Sequence, residues 1–362
     1  MADIYLARRV GIGDFERLVA LKVLGTERAE DAEALAMFLD EARLVAMLNH
    51  QNIASVLDVA IADGRHYLAM EYVHGADLRE ILAAAQRSGK PMPFEVSIAI
   101  VCAAAAGLDH AHRRCSPEGK PLRLVHRDVS LSNIMVGHDG CVKVVDFGIA
   151  QTEIASVHTL PGVVRGKASY MSPEQCLGDK VDHRTDVFAL GIVLYELTTG
   201  ARCFSAKTDF DRMLAVVKSE YIQPSDLVAH YPSELAAVVK KALASDPEKR
   251  YASAAAMIEA LEGVLTARGW NGGTSTIQRL MYELFGNADD ADNDPITVEV
   301  VEPTVTEPIS VPSVPTVAEP TRPGRRIARG TASDCPAPDN DDERTRGRRP
   351  VRRPSTQRLA VA

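Results

Sequence analysis

Three polar residues on two short segments define the chemistry open to this chain. His126-Arg127-Asp128 is followed five residues later by Asn133, and thirteen residues further on by Asp146-Phe147-Gly148. Between them Asp139-Gly140 is a turn signal flanked by the apolar runs IMVG and VKVV, so the stretch reads as loop, strand, turn, strand, loop. Two loops at the ends of one hairpin can bring two carboxylates and an amide to a single phosphate–metal cluster. Hard oxygen donors of this kind suit Mg²⁺, which binds through few carboxylates and keeps substrate phosphates in its shell. Each tripeptide alone is a weak signal; the set in this order, between strands, is specific. Upstream, Val19-Ala20-Leu21-Lys22 puts a lysine on a strand, and Glu41 lies on the helix that follows. Downstream come Ser172-Pro173-Glu174, Asp186 at the start of an apolar helix, and Arg250 after Asp246-Pro247.

The elements that must hold these residues fall into two groups. Residues 4–24 and 53–73 contain strand-like runs such as LVALKVL and HYLAMEYV. Between them, Ala34, Phe38, Leu44, Val45 and Leu48 recur at helical spacing over 31–48. From residue 77 helices dominate, over 77–87, 94–113, 184–199, 208–219, 233–244 and 253–266, broken only by the hairpin segment. A small sheet with one helix, joined to a larger helical lobe, is the expected architecture. Residues 267–286 read as a helical extension. In TSTIQRLMYELF (274–285), Ile277, Leu280, Met281, Leu284 and Phe285 share one face, which favours packing on the lobe over recruiting a partner.

Composition bounds the rest. The 362 residues are 46% hydrophobic and 25% charged, as in ordinary folded proteins, which excludes collagen-like and wholly disordered chains. No run of about 18 apolar residues and no apolar signal core stands out, so membrane insertion is not expected and a cytoplasmic location is. The net charge of −8 argues against nucleic acid as a partner. Six scattered cysteines without a Cys-x-x-Cys pair read as reduced thiols. Residues 287–362 hold 11 of the 20 prolines and no Lys, Phe, Trp or Tyr, and are expected to be a disordered tail, acidic and then Arg-rich. Such a tail is mainly solvated, with docking of a protein partner as the alternative.

On VALK, Glu41, HRDVSLSN, DFG, SPE, DVFALG and the late Arg250, residues 1–266 resemble a protein kinase, most of all the bacterial serine/threonine kinases of eukaryotic type. The resemblance implies an α+β, two-lobed protein kinase fold: a small β-rich N-lobe (1–73) with its helix C, and a large, mainly helical C-lobe (74–266). It implies Mg-ATP as cofactor, with Mn²⁺ able to stand in, and proteins as phosphate acceptors. Lys22 would hold the α- and β-phosphates and Glu41 would fix Lys22. Asp128 would orient the acceptor hydroxyl and take its proton, and Asn133 and Asp146 would bind the metal. Met70 would back the adenine pocket, Glu71 and Val73 would offer backbone groups to the base, and Ile4, Ala20, Met135 and Val145 would wall it. Asp77 would reach the ribose. Glu174 and Arg250 would form a buried ion pair. Arg127 marks a loop that a phosphorylated activation segment can hold, with Thr152, Ser156, Thr159 and Ser169 as candidate acceptors and Thr159 preferred. Autophosphorylation in cytosolic signalling is the implied setting.

Three departures from the family pattern stand out. The glycine-rich loop G-x-G-x-x-G-x-V aligns with Met1–Ile4 only through its second half, with Ala2 at the third glycine and Ile4 at the valine. The first strand of the N-lobe is therefore expected upstream of Met1, and Gly11-Ile12-Gly13 is read as a later turn. Ser130 stands where a lysine usually steadies the transferring phosphate, and Lys167 stands where a threonine usually supports the catalytic loop. The expectation is that Lys167 reaches back to supply the missing charge, a contact of the kind worth ~10² or more in rate. The loop and Ser130 leave a weak or inactive pseudokinase scaffold as the alternative. Against it, Lys22, Glu41, Asp128, Asn133 and Asp146 are all present. A kinase of small metabolites fits less well because the SPE segment serves protein substrates. Tyrosine specificity also fits less well, because the Ala-Arg signature is missing from the catalytic loop.

Overall fold

In the computed structural model, residues 2–10, 16–25, 32–62, 65–116, 118–147 and 169–287 are described. Glu41's side chain, Gly11-Ile12-Gly13, Lys167, Thr152, Ser156, Thr159 and the tail from 288 onward lie outside those residues.

Strand β1 (Ala2–Val10) pairs antiparallel with β2 (Glu16–Leu24), Ala2 opposite Leu24 and Val10 opposite Glu16. β3 (Val56–Ala62) and β4 (Arg65–Glu71) complete a sheet of order β1-β2-β4-β3, with Met70 opposite Ala20 and Leu68 opposite Lys22. Opposed residues share a face and successive residues alternate, so Ile4, Ala20, Lys22, Leu68 and Met70 project to one side. Helix α1 (Ala32–Ala46) covers part of that side, burying Phe38 and Ala42 against Leu24 and Leu68. The expected helix over 31–48 is this element.

The large lobe begins with β5 (Gly75–Asp77) and α2 (Leu78–Ser88), and is built around α3 (Phe94–His112) and α5 (Arg184–Thr199). Fourteen residues of α5, from Thr185 to Thr198, are buried, as a helix apolar on every side requires. α3 corrects one expectation. It is 19 residues long with a mean hydropathy of 1.4, so by length and composition it could cross a membrane. Most of it (61% of its most apolar stretch) is instead buried inside the lobe. Around this pair lie α4 (Pro173–Leu177), α6 (Asp209–Lys218), α7 (Pro224–Leu227), α8 (Ser233–Ala242) and α9 (Ala254–Arg268). Helix α10 (Thr274–Phe285) buries Ile277, Leu280 and Met281, which makes it part of the lobe's packing.

The hairpin β6 (Ile134–Gly137) and β7 (Val142–Val144) joins β5 in a second sheet, order β5-β6-β7, at the floor of the cleft. The segment after α1 is tied to this floor. Asn52 Nδ2 donates to Val142 O (2.9 Å), Val144 N–H to Asn52 O (2.9 Å) and Ala54 N–H to Val144 O (3.0 Å). Gly107 of α3 permits this approach, because a Cβ there would stand 2.7 Å from the Asn52 carbonyl oxygen.

The reading of six reduced thiols holds for Cys102, Cys141, Cys176 and Cys203, which are free.

Candidate active site

The catalytic segment His126–Asn133 has no regular structure of its own until a short 3₁₀ turn, Leu131–Asn133. Its shape comes from Asp186, fully buried in the first turn of α5. One carboxylate oxygen accepts from His126 N–H and the other from Arg127 N–H, both at 2.9 Å, and His112 Nε2 lies 2.7 Å from the first. Burial pushes the Asp186 carboxyl up, but the His112 hydrogen bond, His126 and the backbone donors hold it below the usual range. Arg127 and Asp146 both take left-handed backbone angles, φ 65° and 53°, which cost a non-glycine residue free energy and persist where surrounding contacts enforce them. For Arg127 the enforcing contact includes Gln175 of α4, whose Nε2 donates to Arg127 O at 2.9 Å.

His126 couples the two loops. Its Nδ1 accepts from Asp128 N–H (3.2 Å), which leaves Nε2 to carry the proton and donate to Val145 O (3.0 Å). Its ring also packs on Phe147, centroids 4.6 Å apart. Asn133 Nδ2 donates to Asp128 O (2.7 Å) and Asp128 Oδ2 (3.3 Å), while Asn133 O accepts from Val145 N–H (3.0 Å). From the sheet above, Lys22 Nζ reaches Asp146 Oδ1 at 3.0 Å, both side chains partly buried. Lys22, Asp128, Asn133 and Asp146, four residues spread over 124 positions, thus meet at one cleft. The expected partner of Lys22, Glu41, lies on α1, with its side chain outside the described residues.

The donor set fits a hard cation. Asn133 Oδ1 and Asp146 Oδ2 take none of these bonds, and the described residues contain no group of three or more His, Cys, Asp or Glu that could cage a metal. Two protein oxygens with the remaining positions left to phosphate and water is how Mg²⁺ is commonly held.

Above the floor, Ala20 and Met70 lie opposite each other on the sheet, and Ile4 is 57% exposed on the same face. Met70 also lines a small apolar space with Val145, Asp146 and Phe147, which places it at the rear of the cleft. Met135 and Val145 flank the floor, each half-buried. The Glu71 side chain turns to Lys143 (3.0 Å), and its N–H is spent on Ser55 O (2.9 Å), so it has at most its carbonyl to offer a ligand. Val73 is buried just beyond. Asp77 is the N-cap of α2: Oδ1 accepts from Glu80 N–H (2.8 Å), and Arg79 lies 3.2 Å from Oδ2. Ser130 is buried with its hydroxyl 3.1 Å from that of Ser132. Ser169 is 4% exposed, so in this conformation it cannot serve as an acceptor.

A "Protein kinase domain" profile matches residues 7–261. The chain belongs to the protein kinase family. Among its relatives, the Myxococcus xanthus protein named tyrosine-protein kinase MasK is 40% identical over 286 residues, covering 79% of this chain and 44% of that protein. Mycobacterium leprae serine/threonine-protein kinase PknB is 39% identical over 262 residues, covering 71% and 40%. This kinase therefore spans less than half the length of these relatives. A crystal structure of the Mycobacterium tuberculosis PknI kinase domain superposes with a TM-score of 0.53 at 29% identity, covering 73% of this chain and 90% of that one. The two-lobed fold expected from sequence is the fold of this family.

Within the kinase, His112, Gln175 and Asn52 position the site and were not singled out from sequence. None lies in a recognisable spacing, and each acts on a residue 48 to 90 positions away. Asp186→Asn tests the anchor. It keeps one acceptor oxygen and replaces the other with a donor, orphaning a buried backbone N–H. The expected loss is about 1–3 kcal/mol of stability, read by urea denaturation.

Proposed function

We propose that this kinase transfers the γ-phosphate of Mg-ATP to serine and threonine hydroxyls of proteins, its own activation segment included, in cytoplasmic signalling. The observation that carries this reading is the convergence of Lys22 and Asp146 (3.0 Å) with Asn133 and Asp128 (3.3 Å) between the two lobes. Lys22 neutralises phosphate oxygens, and Asn133 and Asp146 hold the metal, which supplies charge neutralisation on the transferring group. Asp128 orients the acceptor hydroxyl. As that oxygen bonds to the γ-phosphorus and the bond to the β–γ bridging oxygen breaks, the hydroxyl proton passes to Asp128 and ADP leaves. Ile4, Ala20, Met70, Met135 and Val145 give the base apolar walls, Glu71 and Val73 give it backbone groups, and Lys167 supplies charge near the γ-phosphate in place of Ser130. Relatives named serine/threonine kinases support the acceptor class, and so does a catalytic loop without the Ala-Arg signature. The name of MasK makes tyrosine the competing acceptor.

The test is transfer of labelled γ-phosphate to the protein itself and to a basic generic substrate, followed by acid hydrolysis and separation of phosphoamino acids. Phosphoserine and phosphothreonine that vanish on chelation of divalent metal are expected. Phosphotyrosine alone would overturn the acceptor assignment, and silence with intact ATP binding would favour the scaffold.

A further inference from the structure

Glu71 and Lys143 are charged residues set in apolar runs, HYLAMEYV and VKVV. Both are largely buried, with 22% and 14% of their side chains exposed, and Lys and Glu are seldom so placed unless paired. Lys143 Nζ lies 3.0 Å from Glu71 Oε1, which joins the last residue of β4 to the floor hairpin. Lys143 stands opposite Met135 across that hairpin, so the two project from one face. The ammonium also donates to Gln51 O (3.1 Å).

The second carboxylate oxygen interrupts a ladder. Two residues facing each other in a hydrogen-bonded antiparallel pair exchange both bonds, N–H to carbonyl in each direction. Glu71 N–H does donate to Ser55 O (2.9 Å). The return bond is diverted, because Ser55 N–H donates to Glu71 Oε2 at 3.2 Å. The carboxylate thus takes the donor that the Glu71 carbonyl would take in a continuous ladder. Ser55 belongs to the segment that Asn52 and Ala54 pin to Val142 and Val144, which holds its N–H in place.

The other charged or titratable groups beside Lys143 do not take the place of Glu71. Asp139 Oδ1 accepts from Cys141 N–H (2.9 Å). His50 stacks on His110 (centroids 5.0 Å apart), and burial, His110 and Lys143 hold its pKa below the ordinary imidazole value, which keeps it neutral above pH 7.

We propose that Glu71 and Lys143 are positioning residues for adenine: the carboxylate, held by Lys143, occupies the Ser55 N–H and so reserves the Glu71 carbonyl for the base. A carbonyl only accepts, and the donor on the edge of adenine is its 6-amino group. This role rests on the proposed Mg-ATP site.

The test is calorimetric binding, to the full chain, of Mg-ATP and of its analogue without the 6-amino group, purine riboside triphosphate. The wild type is expected to prefer ATP by about three- to tenfold, the worth of one hydrogen bond. Lys143→Met keeps the stem and removes the charge, and Glu71→Met removes the acceptor as well. Both are expected to cut the preference below about twofold, the loss falling on ATP and not on the analogue. In phosphate transfer they should raise KM for ATP and leave kcat within about twofold. An unchanged preference in both variants would overturn the role even if both nucleotides bound more weakly, because a merely loosened site loses the two alike. Loss of preference in Glu71→Met alone would remove Lys143 from it. A wild type that binds the two nucleotides equally would overturn it as well. A wild type that binds neither would instead refute the nucleotide site itself, and the role with it.

Discussion

Asp128→Asn is expected to lower phosphate transfer by about 10²–10⁴-fold, the usual range for losing a positioned proton acceptor. The substitution is close to isosteric, and the structure indicates what it leaves alone. Asn133 Nδ2 keeps its 2.7 Å bond to the residue-128 carbonyl, and the bond to His126 Nδ1 is donated by the residue-128 backbone N–H, so neither uses the side chain that changes. The loop should therefore hold its shape. What disappears, in the proposed mechanism, is the negative charge that faces the acceptor hydroxyl and the site that takes its proton. Asp128 is not placed among the groups that meet the nucleotide, so KM for ATP should stay within about threefold while kcat carries the loss. Steady-state transfer to a peptide, with ATP and peptide varied in turn, measures this. A kcat within twofold of wild type would show that the carboxylate is not the acceptor.

Lys22 and Asp146 make a contrasting pair with Asp128, because in the proposed mechanism both act on the nucleotide side. Replacing Lys22 by Met should raise KM for ATP as well as lower kcat, since the 3.0 Å contact to Asp146 orders two groups of the nucleotide site at once. The difference between the two kinetic patterns, measured in one assay, distinguishes a residue acting on the acceptor from one acting on the donor.

What could be read from sequence follows physical range. The chemistry of the site was legible because family spacing fixes Asp128, Asn133 and Asp146 on two loops around one hairpin, and the hairpin is where expected. Helices of ten residues or more were legible from periodicity; α10 was expected over 274–285 and spans Thr274–Phe285. The short helices α4 and α7 have five and four residues, too few for a period to show. Yet α4 did have a local signal. Ser172 caps it, Pro173 fills its first turn and Gln175 closes the reciprocal cap, a pattern readable as a helix start. What no local pattern contains is the set of partners that shape the catalytic loop. Asp186 holds two N–H groups 59 and 60 residues upstream, a contact that only the folded arrangement of distant segments creates.

The pair Glu174–Arg250 extends this argument to stability, where the second large effect is expected. Arg250 is 0% exposed in its side chain and meets Glu174 in a fork, Nη1 to Oε1 and Nη2 to Oε2, each at 2.7 Å. Its remaining donors go to Ala244 O (2.8 Å), Arg184 O (3.2 Å) and Ser245 O (3.0 Å), which uses the guanidinium's full complement. Arg250→Met should therefore cost about 3–5 kcal/mol, because it leaves Glu174 charged, buried and without a cation. Arg250→Lys should rescue little, since an ammonium cannot reproduce the fork. Glu174→Gln combined with Arg250→Met should recover part of the loss by removing the orphaned charge. The pH dependence has a definite sign. Burial pushes the Glu174 carboxyl up, but the bonds from Arg250 and Thr185 outweigh it and hold the group below its usual range. Its stabilisation is thus present above the unfolded carboxyl pKa of about 4.3 and is lost as pH falls through the lower folded value. In Arg250→Met the uncompensated carboxylate takes up a proton instead, which relieves its penalty. The gap between wild type and variant, read by urea denaturation at a series of pH values, should narrow towards acid. A gap of equal size at pH 7 and pH 4 would mean that lost packing rather than charge is responsible. The same variant should also slow phosphate transfer, because Glu174 lies on α4 beside Gln175, whose 2.9 Å bond to Arg127 O helps hold the catalytic loop.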